Sequence, residues 1–301
     1  MSYPFLGDLI NSFFGTSWNV PIPMFGLFVA IAIVAATYVA RKEVERYEST
    51  ERLPQKTSTL VPDLAILGAI FGILGARVFH VLEYPSQFLD DPLSMIFSRG
   101  GFSIYGGLLI GTLAGFVFLK RKAVPIAPML DATAPSLMLG YAIGRVGCQV
   151  SGDGDWGVAS NLASKPGWLP EWAWSQTYEN NIAGVIIPDP GVYPTPMYET
   201  GMALIAFLVL WRLRKHRNYA GFLFAAYLLF SGFERLLIEK IRINPNYDVF
   251  GLSFTQAEGI SLILIILGVT GVLATLTSKK LLPKAIFSFA VFVTLTACMQ
   301  L

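Results

Sequence analysis

Residues 61–82 read VPDLAILGAIFGILGARVFHVL. No charged side chain occurs from Leu64 through Ala76; then Arg77 and His80 arrive, with Glu83 just beyond. A run of about 20 mostly apolar residues is long enough to cross a bilayer as a helix. The composition of the whole chain decides that it does. Of 301 residues, 54% are hydrophobic and 14% charged, against about 25% charged in an ordinary soluble domain. Mean hydropathy is +0.57. This is the profile of a polytopic membrane protein rather than of one with a large soluble core.

Working outward, comparable runs occur near 20–40, 103–119, 129–149, 197–212, 220–239 and 255–277, with a shorter eighth at 285–301. Basic residues follow every second run: Arg41, Lys42, Arg46, Arg52 and Lys56; Lys120, Arg121 and Lys122; Arg212, Arg214, Lys215 and Arg217; Lys279, Lys280 and Lys284. The other connections carry Asp90, Asp91, Asp153, Asp155, Glu171, Glu179 and Asp189. The positive-inside rule then puts the basic ends in the cytoplasm and the N-terminus outside. The expected fold is an all-α polytopic integral membrane protein with seven to eight transmembrane helices. It is a single transmembrane domain over 1–301, with a core over 20–245 and an extra C-terminal membrane segment at 285–301.

The net charge of +2 says little about partners. The short basic clusters beside apolar runs serve topology and do not suggest nucleic acid. Asp8 and the lack of a basic n-region argue against a secretory peptide at the N-terminus. Two cysteines, Cys148 and Cys298, are too few for a disulfide framework. The two histidines, His80 and His216, fall on opposite sides of the expected topology, so no metal site and no cofactor are expected.

Two segments read as surface pieces. Residues 3–15, YPFLGDLINSFFG, suit a helix lying in the interface. Residues 152–196 are the longest polar connection and hold Trp156, Trp168, Trp172 and Trp174, which suit the headgroup layer. That connection is either an anchored loop or a small external head that helps admit a substrate. Gly107, Gly111 and Gly115, with Gly68 and Gly72, recur at four-residue spacing and point to close helix packing.

A charge at the bilayer centre costs at least about 2.5 kcal/mol, so each one asks for a partner or a task. Arg145 lies in LGYAIGRVGCQVSGDG with no acid in its own turns. Arg77, His80 and Glu83 end the second run, and Arg235, Glu239 and Arg242 share one helix face at i, i+4 and i+7. All three groups are expected in the outer half of the membrane. Arg235 and Glu239 form either an intrahelical ion pair or part of a site. A guanidinium presents a planar fork that suits phosphate, so the arginines suggest a pocket for a lipid phosphate.

The order of motifs resembles bacterial prolipoprotein diacylglyceryl transferase. The matching stretches are GILGARVFHVLEY, RGGFSIYGGLLIG, GRVGCQVSGDGDWG, YPTPMYE and SGFERLLIEKIR, in the family's order, over roughly residues 20 to 245. The resemblance implies a multi-pass enzyme of the bacterial cytoplasmic (inner) membrane. It would transfer the diacylglyceryl group of phosphatidylglycerol to the lipobox cysteine of a prelipoprotein, forming a thioether and releasing glycerol phosphate. Its partners would be phosphatidylglycerol, prelipoprotein signal peptides and membrane lipids. By motif position Arg145 and Arg235 match the family's arginines, with Arg77 as a third. Gly106, Gly107 and Gly152 would join them in binding lipid phosphate, with Phe25, Ser151 and Glu239 in support.

The chain departs from the family pattern in several places. Cys148 and Ser151 stand where the signature has asparagines, and Asp153 where it has glutamate. Tyr105 replaces a common histidine, and Phe25 a common tyrosine. A phenol with a pKa near 10 is a poor base at neutral pH. His80, Asp153 and Glu239 are therefore candidate bases, although His80 also fits a simple pairing with Glu83 at i+3. The altered signature leaves open a non-catalytic lipid-binding or transport relative, or a transferase with another lipid or acceptor. The chain ends LTACMQL after a basic patch and an apolar run, so Cys298 reads as a self-substrate, a pseudosubstrate or an incidental ending of a membrane anchor. Pairing of Cys298 with Cys148 would need geometry that sequence does not supply.

Overall fold

A computed structural model describes residues 2–97, 101–215, 219–249 and 252–277. His216, Lys279, Lys280, Lys284, Cys298 and the run at 285–301 lie outside the described residues. In chain order the helices are α1 (Leu6–Phe14), α2 (Met24–Ser49), α3 (Val61–Glu83), α4 (Pro85–Asp90), α5 (Pro92–Phe97), α6 (Ile104–Arg121), α7 (Ile126–Ser151), α8 (Thr195–Leu213), α9 (Phe222–Glu239) and α10 (Gln256–Thr277). Each of the seven long apolar runs among the described residues is a helix. Four described segments, Met24–Ser49, Thr57–Glu83, Ile104–Arg121 and Gln256–Leu276, are long and apolar enough to cross a membrane. The helices α7, α8 and α9 carry Arg145, Glu199, Glu234, Arg235 and Glu239. The all-α expectation needs one correction: strands β1 (Asn246–Val249) and β2 (Leu252–Thr255) pair antiparallel, with Asn246 opposite Thr255.

The chain gathers into two compact units. The first comprises Met1–Tyr38, Ala134–Arg217 and Ala225–Val269; the second comprises Val39–Thr133, Asn218–Phe224 and Thr270–Leu301.

In the second unit, α2 runs on past its apolar part through RKEVERYES because its charges support one another. Arg41 and Lys42 pair with Glu45, and Arg46 pairs with Glu43. That stretch closes over a core of Val44, Tyr47, Leu53, Val61, Leu119, Met129 and Ala132. The guanidinium groups of Arg46 and Arg52 stand 4.9 and 5.2 Å from the Tyr47 ring centroid. Helices α3 and α6 meet through glycines, as their four-residue spacing leads one to expect. A Cβ on Gly107 would lie 3.0 Å from the Gly72 carbonyl oxygen, and one on Gly111 3.3 Å from that of Gly68. Asp131 is buried on α7 and accepts hydrogen bonds from the backbone N–H of Gly221 (2.6 Å) and Phe224 (2.9 Å) at the start of α9.

In the first unit, α1 is capped by Asp8, whose carboxylate accepts the Phe5 N–H at 2.9 Å. It leaves Phe13 and Phe14 exposed, as a helix in the interface would. The connection between α7 and α8 is a folded head rather than a loose loop. Trp156, Tyr178 and Val192 form its own small core, and two 3-10 turns cover Leu162–Ser164 and Glu171–Ala173. The tryptophans divide: Trp156 is buried and Trp174 donates to the Asn161 carbonyl oxygen, while Trp168 and Trp172 are exposed. The head is stitched to the segment after α9, where Gly157 pairs with Arg242. A Cβ on Gly157 would lie 2.5 Å from the Ile241 carbonyl oxygen, so this close approach needs glycine.

Candidate active site

The first unit brings together ionisable residues from four places in the sequence. From α7 come Tyr141 and Arg145; from the turn after it, Asp155; from the first turns of α8, Glu199; from α9 and the residues following it, Glu234, Arg235, Glu239 and Arg242. Pro194 and Pro196 suit the start of α8, since the first turn has no N–H to lose. That start places Glu199 inward, 1% exposed.

Glu199 is the hub. Arg145 Nη2 donates to Glu199 Oε2 in a direct ion pair, Arg242 Nη1 donates to Oε1 at 3.3 Å, and Arg235 Nη1 stands 3.9 Å from Oε1. Asp155 is shared: Oδ2 accepts from Arg145 at 2.5 Å and Oδ1 from Arg242 at 2.7 Å. Burial alone would raise the Asp155 pKa, but the charges of Arg145 and Arg242 outweigh it and hold the carboxyl below its ordinary range. Arg235 also pairs with Glu239 at 2.9 Å, so the i, i+4 ion pair is formed, and Asn244 donates to Glu239 Oε1 at 2.7 Å. The Tyr141 hydroxyl lies 3.3 Å from Glu199 Oε1 and 3.2 Å from Glu234 Oε1.

The remaining predicted residues of this unit lie on α7, in the turn after it and at the start of α2. Arg145 Nη1 is 3.4 Å from the Cys148 sulfur. Cys148, Asp153 and Asp155 bring ligating atoms within 4.8 Å of one another, but the Arg145 guanidinium already occupies two of these three groups. A bound cation there would compete with that guanidinium, so the donor set does not fit a metal. Asp153 accepts the Asp155 N–H at 3.2 Å. The Ser151 hydroxyl donates back into α7, to the Gly147 carbonyl oxygen at 2.8 Å. Gly152 ends α7 with φ +62, and a Cβ there would lie 2.8 Å from that of Asn181. Phe25 sits at the start of α2 near Gly147 of α7.

The other predicted residues belong to the second unit. Arg77 Nη1 donates to the carbonyl oxygens of Met95 (2.9 Å) and Gly101 (3.0 Å), and its guanidinium lies 4.3 Å from the Phe102 ring centroid. The expected pairing of His80 with Glu83 is replaced. Glu83 accepts from the Ser103 hydroxyl at 2.5 Å, while the His80 ring packs 5.1 Å from that of Tyr84 and against Gly101. Tyr105 opens α6, and Gly106 and Gly107 face α3, whose Gly75 and Gly72 carbonyls leave no room for a side chain.

Sequence reasoning gave no role to Glu199, Glu234, Tyr141 or Asp155. The signal was present for two of them. Glu199 and Glu234 are acids within the expected membrane runs, and the rule that singled out Arg145 applies to them equally. Asp153 holds the acidic position of the motif and Asp155 follows two residues later. Gly154, with φ +99, turns the chain between them and sends Asp155 to the arginines.

Guanidinium forks from α7, α9 and the residues after α9, set in an apolar, multi-helix chain, are the donors a membrane protein that handles an anionic group would need. The comparisons with known proteins specify which kind. The sequence model of the family "Prolipoprotein diacylglyceryl transferase" matches residues 13–274, and the chain belongs to that family. It is a multi-pass membrane transferase of lipoprotein biogenesis. It is similar to proteins named phosphatidylglycerol–prolipoprotein diacylglyceryl transferase from three bacteria. The Leptospira interrogans serovar copenhageni protein is 29% identical, over 92% of this chain and 96% of the relative. The Shouchella clausii protein is 30% identical, over 82% and 83%. The Thermus thermophilus protein is 30% identical, over 82% and 91%.

Proposed function

We propose that Arg145, Arg235 and Arg242 hold the phosphate of phosphatidylglycerol while the lipobox cysteine of a prelipoprotein attacks the adjoining glyceryl carbon. The enzyme transfers the diacylglyceryl group: a carbon–sulfur bond forms, the carbon–oxygen bond to phosphate breaks, and glycerol phosphate leaves with the bonding pair. The thiol proton passes to a base, since the thiolate is the nucleophile. The observation that carries this reading is the meeting of three guanidinium groups on one buried carboxylate. Positive charge fixed in advance around a departing phosphate lowers the barrier without reorganisation at the moment of reaction.

Arg77, Gly106, Gly107 and Gly152 serve as further lipid contacts in this reading, with Phe25, Ser151 and Glu239 in support. Tyr105, His80 and Asp153 are candidates for the polar contacts to ester and thiol. The membrane is the bacterial inner membrane, the N-terminus is outside, and the head over 152–196 faces outward beside the acceptor peptide. The core over 20–245 acts as one membrane domain.

The deciding experiment supplies purified protein with phosphatidylglycerol and a lipobox peptide and measures glycerol phosphate, with Arg145→Ala alongside. Release that needs both peptide and Arg145 is the expected result. Release unchanged in Arg145→Ala would remove the arginine from the reaction.

A further inference from the structure

The arginine cluster is already neutral without a ligand. Arg145, Arg235 and Arg242 face Glu199, Asp155 and Glu239, three cations against three anions, each acid in contact with at least one guanidinium. A carboxylate and a phosphate offer a guanidinium fork much the same acceptors. Glu199 takes the place on the arginines that a phosphate would take. Adding a phosphodiester would leave the buried cluster one negative charge in excess, and a buried unpaired charge is costly.

The structure contains a device that relieves the excess. Glu199 and Glu234 lie on opposite sides of one phenol, at 3.3 and 3.2 Å from the Tyr141 oxygen. A phenol has one proton to donate, so only one of these contacts is a hydrogen bond from Tyr141. A full hydrogen bond at the other needs a proton on a carboxyl. Glu234 has no guanidinium within ion-pair distance among the described residues and is buried, so of the two acids it is the one better suited to hold such a proton. With a proton on Glu234, its carboxyl would donate to Tyr141 and Tyr141 to the Glu199 carboxylate. A second proton, placed on the far oxygen of Glu199, leaves this chain intact.

We propose that Glu199 is a resident stand-in for the lipid phosphate, and that phosphate binding displaces it from the arginines with uptake of one proton by the Glu199–Tyr141–Glu234 chain. Glu199 is faced by Arg145 and Tyr141 of α7, by Glu234 and Arg235 of α9, and by Arg242 beyond it. Asp155 and Cys148 share Arg145, and Glu239 shares Arg235. Of the acids in this set, Glu199 alone touches both the arginines and the phenol. The proton comes from water; no other bond changes. When glycerol phosphate departs, Glu199 returns to the arginines and releases the proton. The inference rests on phosphatidylglycerol being the lipid bound at these arginines.

Titration calorimetry of the full chain in detergent with short-chain phosphatidylglycerol tests it. Repeating the titration in buffers of different ionisation enthalpy counts protons per lipid bound. Wild type takes up about one proton, and its affinity rises about tenfold per unit fall in pH over the coupled range. Glu199→Gln takes up about none, loses the pH dependence and binds more tightly than wild type at the alkaline end. Binding to wild type without proton uptake overturns the proposal, as does a Glu199→Gln protein that binds more weakly at every pH. Should that variant not fold, the wild-type proton count decides alone. Wild type that binds no lipid at any pH, or binds it equally well as Arg145→Ala, removes the lipid reading itself and the proton device with it.

Discussion

Arg145 and Glu199, 54 residues apart, form a direct ion pair in which the guanidinium is about nine-tenths buried and the carboxylate almost wholly so. A pair of this kind is weak evidence for added stability, because both ions had to leave water. Removing one partner is another matter, since it strands the other charge.

Arg145→Ala is therefore expected to abolish glycerol phosphate release and to destabilise the protein by about 3–5 kcal/mol, the range for a broken buried pair. Arg145→Lys is expected to lose turnover too. A point-like ammonium does not reproduce the fork that reaches Asp155 and Glu199 together. Product release and thermal unfolding in detergent, measured on both variants, check this. Lysine supporting near wild-type turnover would show that charge suffices without the fork.

Acidification should weaken the same cluster. Arg145 and Arg242 hold the folded-state pKa of Asp155 below its unfolded value, despite burial. Its contribution is therefore fully present above the unfolded pKa of about 3.9 and is lost as pH falls through the folded pKa. Unfolding midpoints followed down through this window should drop for wild type, and drop less for Asp155→Asn. Parallel curves for the two proteins would remove Asp155 from the acid response.

Asp131 anchors the start of α9 through the N–H groups of Gly221 and Phe224. Asp131→Ala removes both acceptors and is expected to cost about 1–2 kcal/mol, as for other caps, while Asp131→Asn keeps one acceptor and costs less. Denaturation of both variants orders them. Equal stability of alanine and wild type would mean that water replaces the carboxylate.

The glycine contact between α3 and α6 gives a separate test. Gly107→Leu forces a side chain against the Gly72 carbonyl and should cost about 1–3 kcal/mol. Gly26→Ala, where nothing lies within 4 Å of the added Cβ, should be neutral or slightly stabilising. If Gly107 also binds lipid, KM will rise beyond what the lost stability explains; turnover per folded molecule separates the two.

The sequence by itself determined the helices. Apolar runs long enough to cross a bilayer, closed by basic clusters, leave the backbone few alternatives, because a helix satisfies its own hydrogen bonds. The run at 61–82 became Val61–Glu83, and that at 255–277 became Gln256–Thr277. Five motifs in order also gave the family. Local spacing even gave the Arg235–Glu239 pair, since i and i+4 meet on any helix. It failed where other elements supply the contacts: Glu83 accepts from Ser103 just before α6, and the His80 ring packs against Tyr84 and Gly101.

What each buried charge is for was decided only by the tertiary structure. Arg145 looks partnerless in its own turns, yet it holds Glu199 from α8 and Asp155 from the turn beyond α7. The Tyr141 hydroxyl finds two acids from two other helices. No period or spacing encodes such meetings. They depend on which helix faces pack together and where Gly154 and Gly157 let the chain turn and close up, so the chemistry of the site is a property of the packing.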